Sequence, residues 1–462
     1  MHNRREFFAK LGGAALALGA CKPMQYKNTI AGEEWKNEHY PSISVDGNYW
    51  FSEELQEITE QAIAKNRKGS LKLKLKGKSG NPLTGYQLHL KLLQHDFDWG
   101  FSGASDICNL DKRDDVVTPL VRKLFNCTTA KCYWDERWHQ PIESKEGKRI
   151  TSRFRGEIDW GLSNGLQVKG HPLVWTVRKA IPEWLDKYSY PRQMKILEDH
   201  VRDLIRLSPG VTLWDLCNEM LWEPSLRNLP KRDWPHLESI DEILTYLQPA
   251  VEWAKDENPH ATYVLNDYGL TKTTAPGVTS AQQRKRFVKL INEMRRRGCL
   301  PDAIGSQAHV AGWYNAYEFT TMLDELSASG LPLQITEFWA KPKDNPFKSE
   351  MSANEQQQAL IDHVRMIYSL AFAHPNVSHI SYWGSSEWFD EQGEAKPLYH
   401  AMYNLIKDEW NTEASLVSDS SGEVQLPAFF GTYAILIQDL KGNQRYEKVL
   451  FKKHDLTKTI IL

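Results

Sequence analysis

A chain of 462 residues can bury a large core, and it fits one large domain plus a smaller module better than three equal domains. Its formal net charge of −2 gives no electrostatic reason to expect nucleic acid or an anionic membrane face as a partner. The 17 Trp and 18 Tyr point elsewhere, because flat aromatic faces stack on the C–H faces of sugars, although core packing claims many aromatics in any domain.

Residues 1–21 read as an export signal, set apart from the folded domain. Asn3-Arg4-Arg5-Glu6-Phe7-Phe8 resembles a twin-arginine signal, and the apolar run from Leu11 to Ala20 is too short to span a bilayer. Leu18-Gly19-Ala20-Cys21 resembles a lipoprotein processing box, in which Cys21 is lipidated after cleavage. The expectation is a bacterial cell-envelope lipoprotein, periplasmic or at the outer-membrane surface, that meets the membrane only through that lipid. The other cysteines, Cys108, Cys127, Cys132, Cys217 and Cys299, are odd in number and show no paired spacing, so no disulfide framework is expected. Cys127 and Cys132 lack the partners a zinc site needs, and neither metal nor cofactor is expected.

Residues 22–66 read as a polar tether with scattered aromatics (Tyr26, Trp35, Tyr40, Trp50), ending in a helix from Phe51 to Arg67 with Leu55, Ile58, Ala62 and Ile63 on one face. Residues 67–94 alternate strictly in two runs, Leu71-Lys72-Leu73-Lys74-Leu75-Lys76 and Tyr86-Gln87-Leu88-His89-Leu90-Lys91-Leu92, around a turn-rich centre. They read as a hairpin with one wet face. From 95 to 411 strand and helix alternate, with strands ending near Ala104, Thr129, Trp175, Glu219, Asp267, His309, Glu337 and Trp383. Eight such alternations are the signature of an α/β (β/α)8 TIM barrel. A doubly wound sheet is the alternative, weakened because no Gly-rich phosphate loop follows the first strand. Residues 412–462 revert to short strands. An isolated hairpin is marginal, so the 67–94 strands are expected to join the C-terminal ones in one small appended β-sandwich.

In a barrel the C-terminal strand ends form the active face. This brings Glu219 and Glu337 together with Asn218, Asp267, Gln307, His309, His171, Trp175 and Trp383. A buried carboxylate costs several kcal/mol or shifts its pKa, so two of them at different strand ends call for a use. Glycoside hydrolysis supplies one. One carboxyl stays protonated to donate to the leaving oxygen while the other acts on the anomeric carbon, a separation of roughly 5–5.5 Å giving retention and a wider one inversion.

Six segments in order, Gly170-His171-Pro172-Leu173-Val174-Trp175, Trp214-Asp215-Leu216-Cys217-Asn218-Glu219-Met220, Leu265-Asn266-Asp267-Tyr268, Gly305-Ser306-Gln307-Ala308-His309, Ile335-Thr336-Glu337 and Tyr382-Trp383-Gly384, together resemble glycoside hydrolase family 10. The resemblance implies a retaining, endo-β-1,4-xylanase-like enzyme on a TIM barrel, acting on a xylan-like polysaccharide or its oligosaccharides. It implies Glu219 as general acid/base, Glu337 as nucleophile and Asn218 as partner of the sugar 2-hydroxyl. His309 would orient Glu337 and hold it ionised, with Gln307 two residues before it in the same Gln-x-His motif. His171 and Trp383 would line the subsite of the cleaved sugar, with Trp175 in support.

The chain also departs from that pattern. Where a Glu-Asn and then a Lys are expected after the second strand, it has Lys131-Cys132-Tyr133-Trp134-Asp135; after Trp175 the expected His-Ser-Gln is Thr176-Val177-Arg178; and Glu387-Trp388 follows Trp383 early. Substrate recognition is therefore expected to be rewritten around a retained centre. Lys131 and Arg178 are new cations there. They either bind an acidic substituent such as a uronate or pair locally with Asp135, Glu136 or Glu183. Two further alternatives stand: the same chemistry on a different β-glycan, and a non-catalytic carbohydrate-binding lipoprotein. The β-module either binds sugar or serves as a spacer.

Overall fold

The computed structural model describes residues 53–462 except 108–113, 136–140, 223–236, 238, 276, 311, 347 and 453–454. The export signal, Cys21, the tether up to Trp50, Cys108 and Glu136 lie outside the described residues. A helix over Glu53–Arg67 leads into β1 (Lys68–Lys76) and β2 (Gln87–His95), and β3 (Asp98–Phe101) opens the barrel. The barrel continues with β4 (Cys127–Lys131), β5 (Gln167–His171), the two-residue β6 (Val174–Trp175), β7 (Leu213–Asn218), β8 (Thr262–Asp267), β9 (Ala303–Ser306), β10 (Leu333–Phe338) and β11 (Val377–Tyr382). Five strands follow: β12 (Glu413–Val417), β13 (Glu423–Phe429), β14 (Gly431–Gln438), β15 (Gln444–Phe451) and β16 (Leu456–Ile461).

The barrel strands run β5-β4-β3-β11-β10-β9-β8-β7, all parallel, and the pairing of Lys169 with Leu213 and Gly170 with Trp214 closes the ring. This is a (β/α)8 barrel with extra sheets built from both ends of the chain. The third barrel strand ends at His171; Trp175 belongs to β6, which extends the ladder of β7. Gly170 is required at the closing seam, because a Cβ there would lie 2.1 Å from the Trp214 ring. Four consecutive barrel helices start with reciprocal capping boxes, Ser239/Glu242, Thr279/Gln282, Asn315/Glu318 and Ser352/Glu355. In each, the two side chains accept from two backbone N–H groups that the first helical turn leaves unpaired.

The 67–94 segment does not form a hairpin. β1 lies between β13 and β16 in one sheet, and β2 lies between β12 and β14 in another. Leu71, Leu73 and Leu75 of β1 and Leu88, Leu90 and Leu92 of β2 are all buried. Alternation records that each strand has one dry face, and it is the same whether the neighbouring strand is a hairpin partner or a strand hundreds of residues away.

The sandwich sits at the N-terminal end of the barrel strands. Trp99 stacks on Tyr368 and Trp410, and Phe372, near the end of the helix Ala353–Ala373, stacks on Phe429 of β13. Arg67, the last residue of the first helix, fixes the junction. Its Nε donates to Phe372 O at 2.5 Å, and its Nη2 donates to His374 O and Val377 O, each at 2.6 Å. The guanidinium also lies over the Phe97 and Phe372 rings. Its charge thus meets the carbonyl end of a barrel helix, where a cation is favoured. Arg67→Ala is expected to destabilise the protein by about 2 kcal/mol, because three carbonyls lose a charged donor, and Arg67→Lys to restore little of it. Thermal denaturation checks this; a change within about 0.5 kcal/mol in the Ala variant would remove Arg67 from that role.

Candidate active site

The strand ends gather the carboxylates as expected, and an amide network joins them. Asn218 ends β7, and the next residue, Glu219, adopts φ 59°, a left-handed backbone that non-glycine residues adopt at a cost of order 1 kcal/mol. Its amide donates to Asn266 O at 2.9 Å, which ties this turn to β8. The Glu219 carboxylate accepts from Trp175 Nε1 at 3.0 Å and from Gln307 Nε2 at 3.2 Å. Glu337, buried in β10, accepts from Asn266 Nδ2 at 2.7 Å. Asn218 links the two halves: its Oδ1 accepts from both Gln307 Nε2 and Asn266 Nδ2, each at 3.0 Å. With its oxygen engaged twice, the Asn218 amide nitrogen is the atom turned to donate elsewhere.

Two histidines flank Glu337 at more than hydrogen-bond length. His171 Nε2 lies 3.9 Å from Oε1 and His309 Nε2 3.8 Å from Oε2. His171 Nδ1 donates to Asp215 Oδ2 at 2.7 Å, and the other Asp215 oxygen lies 2.8 Å from Lys169 Nζ. Lys169 also donates to Gln334 Oε1. Lys169, Asp215 and His171 are all buried in the barrel interior. Burial works against an ionised Asp215, but the charge of Lys169 and the bond from His171 hold its carboxyl below the usual range.

Glu337 shows the opposite balance. Burial pushes its carboxyl up to about 8, the charges of Asp215 and Glu219 add to the rise, and the bond from Asn266 opposes it. The expectation that His309 holds Glu337 ionised is therefore corrected. Burial first, and then the nearby ammonium groups of Lys341 and Lys179, keep His309 neutral, and it is too distant for a hydrogen bond. The two carboxyls are thus electrostatically coupled, the charge of Glu219 adding to the rise at Glu337.

The remaining expected residues divide. Trp383 packs edge-on against His171 at 5.5 Å, and Lys131 Nζ lies 4.6 Å from the Trp383 ring centroid. Tyr133, in the altered stretch after β4, packs against both His171 and Trp175. Asp267 accepts from the backbone N–H of Leu221 and Tyr268, holding the turns after β7 and β8, and burial pushes its carboxyl well up. Arg178 differs: its exposed guanidinium donates to Asp186 Oδ2 at 3.3 Å, a local surface pair. Its neighbour Lys179 is the cation held near the site, 4.9 Å from the Trp175 ring centroid. Glu387 accepts from Trp339 Nε1, and Trp388 is fully buried.

Sequence reasoning left Asn266, Asp215, Lys169, Thr336 and Tyr133 without roles. A signal existed for the ion pair, because Lys169 and Asp215 are opposite charges inside two otherwise buried strands, a placement that calls for a partner. Asn266 carried none beyond its place beside Asp267. Its side chain is fixed from a distant strand by Thr336 Oγ1, which donates to Asn266 Oδ1 at 2.5 Å.

The family model described as glycosyl hydrolase family 10 matches residues 94–407. Endo-1,4-beta-xylanase B of Thermotoga neapolitana is 27% identical over 332 residues, covering 67% of this chain and 88% of that protein. Anti-sigma-I factor RsgI6 of Acetivibrio thermocellus is 23% identical over 436 residues, covering 90% of this chain; the chain spans only 50% of that protein's length. Among solved structures, native xylanase 10B from Thermotoga maritima superposes with a TM-score of 0.53 at 20% identity, covering 68% of this chain and 96% of that one, a likeness of fold. The family match takes in every barrel strand and both glutamates, and the chain belongs to glycosyl hydrolase family 10.

Proposed function

We propose that the chain is a retaining glycosidase that cleaves internal β-1,4 bonds of a xylan-like glycan by double displacement. The observation that carries this reading is the amide network that holds Glu219 and Glu337 around one Asn218 side chain. In this scheme Glu219 protonates the leaving oxygen, Glu337 attacks the anomeric carbon, and Glu219 then activates the water that releases the sugar. The Asn218 amide nitrogen donates to the sugar 2-hydroxyl. For attack to occur Glu219 must carry a proton and Glu337 must be ionised. Positive charge developing at the anomeric carbon favours that arrangement by stabilising an ionised Glu337. A binding-only role would leave two carboxylates crowded around one buried network without a use.

The product anomer, read by NMR early in the reaction, is expected to retain the β configuration; an α product would overturn double displacement. In parallel, Glu219→Ala should lose about 100-fold or more on xylo-oligosaccharides yet keep much of its first step on a nitrophenyl xylobioside, whose leaving group needs no proton. Equal losses on both substrates would remove Glu219 as the acid.

The pH profile follows from the raised carboxyl. Glu337 must be ionised to attack, so kcat/KM should fall on the acid side through an apparent pKa above the ordinary glutamate value of 4.5. The Asn266 bond lowers that pKa, so Asn266→Ala should move the acid limb to higher pH and reduce kcat/KM about 100-fold. An acid limb at or below 4.5 in the parent, or an unmoved limb in the variant, would contradict the assignment.

We further propose export by the twin-arginine-like signal and anchoring through a lipid on Cys21, motivated by the Leu18-Gly19-Ala20-Cys21 box. Cys21→Ser should shift the protein from the membrane fraction to the soluble one, as read by fractionation; unchanged membrane association would refute the anchor.

A further inference from the structure

Three tryptophans around the catalytic pair each carry a lysine ammonium over the ring. Lys131 Nζ lies 4.6 Å from the Trp383 centroid, Lys179 Nζ 4.9 Å from that of Trp175, and Lys341 Nζ 4.1 Å from that of Trp339. The lysines come from the end of β4, the turn after β6 and the turn after β10, so only the closed barrel groups them. Each of the first two rings in turn touches the site: Trp175 donates to Glu219, and Trp383 packs on His171. The charges of Lys179 and Lys341 both reach His309, and that of Lys131 reaches His171, the two histidines beside Glu337.

Among the described residues neither Lys179 nor Lys341 forms an ion pair. The carboxylates of the site are engaged otherwise: Glu219 with Trp175 and Gln307, Glu337 with Asn266, Asp215 with Lys169 and His171, and Glu387 with Trp339 and Ser386. A cation over a ring gains about 0.5–1 kcal/mol at an exposed site and keeps N–H donors for another partner. The ring also gives up to the lysine a face on which a neutral sugar would stack. Ammonium groups gathered in one mouth repel each other and any cationic ligand, and an anion relieves that repulsion.

We propose that Lys179 and Lys341 recognise an anionic group on the glycan near the bond to be cleaved, a uronate carboxylate or a sulfate ester. The substrate is then an acidic xylan-like chain in preference to a neutral one. The proposal rests on the glycosidase reading for its position in the mouth, and the experiment below separates the two.

The purified full chain is assayed on xylohexaose and on the same oligomer bearing either one glucuronate branch or one sulfate ester. At low salt kcat/KM should favour at least one acidic oligomer by about 10-fold, and raising NaCl from about 0.05 to 0.5 M should shrink the advantage. The double variant Lys179→Gln/Lys341→Gln should reduce the acidic-to-neutral ratio about 10-fold. Whichever acidic oligomer leads identifies the anion. A parent ratio near one, or an unchanged ratio in the double variant, overturns the proposal. Calorimetric titration of the same oligomers into Glu219→Ala protein decides independently of turnover. Tighter binding of an acidic oligomer, lost in the lysine variant, supports the anion site even if no substrate is hydrolysed, a result that would sink only the glycosidase reading. Equal binding of all three overturns the anion site.

Discussion

The barrel interior is organised around a buried ion pair. Lys169 and Asp215 face each other 2.8 Å apart on the two strands that close the ring, and both are almost fully excluded from water. Such a pair adds little net stability, because the cost of removing two charges from water offsets their attraction. Its value lies in position. The ionised Asp215 fixes the His171 tautomer, which turns the other ring nitrogen toward Glu337, and its charge adds to the rise of the Glu337 carboxyl. Replacing one partner would strand the other charge inside the barrel and change the protonation of the glutamate above it.

The barrel was largely legible because strand and helix periods alternate along residues 95–411. Both glutamates were legible as carboxylates ending buried runs. What escaped was whatever depends on distant partners. The 71–92 strands alternate faithfully, yet alternation does not name the strand alongside, and each lies in a separate sheet. Arg178 stood out as a cation beside the site, whereas the structure turns it to Asp186 and holds Lys179 over Trp175. Adjacent residues of a tight turn point in different directions, and only the fold decides which faces the mouth. Asn266 and Thr336 meet across 70 residues of sequence, a distance no local pattern spans.

The same centre combines an inherited part with an altered one. Amide side chains join Glu219 and Glu337, while the residues after β4 and β6 put aromatic rings and cations where other groups were expected. From below, Thr336 holds Asn266 in the amide network, and the Lys169–Asp215 pair holds His171.

At the far end of the barrel, β1 and β16 lie side by side in parallel over six paired positions, from Leu71 with Leu456 to Lys76 with Ile461. A force drawing the start of β1 away from the end of β16 therefore runs along the strands, and the ladder resists in shear, its hydrogen bonds sharing the load instead of opening one by one. β1 and β16 thus form a clasp between two distant parts of the chain, placed opposite the catalytic mouth.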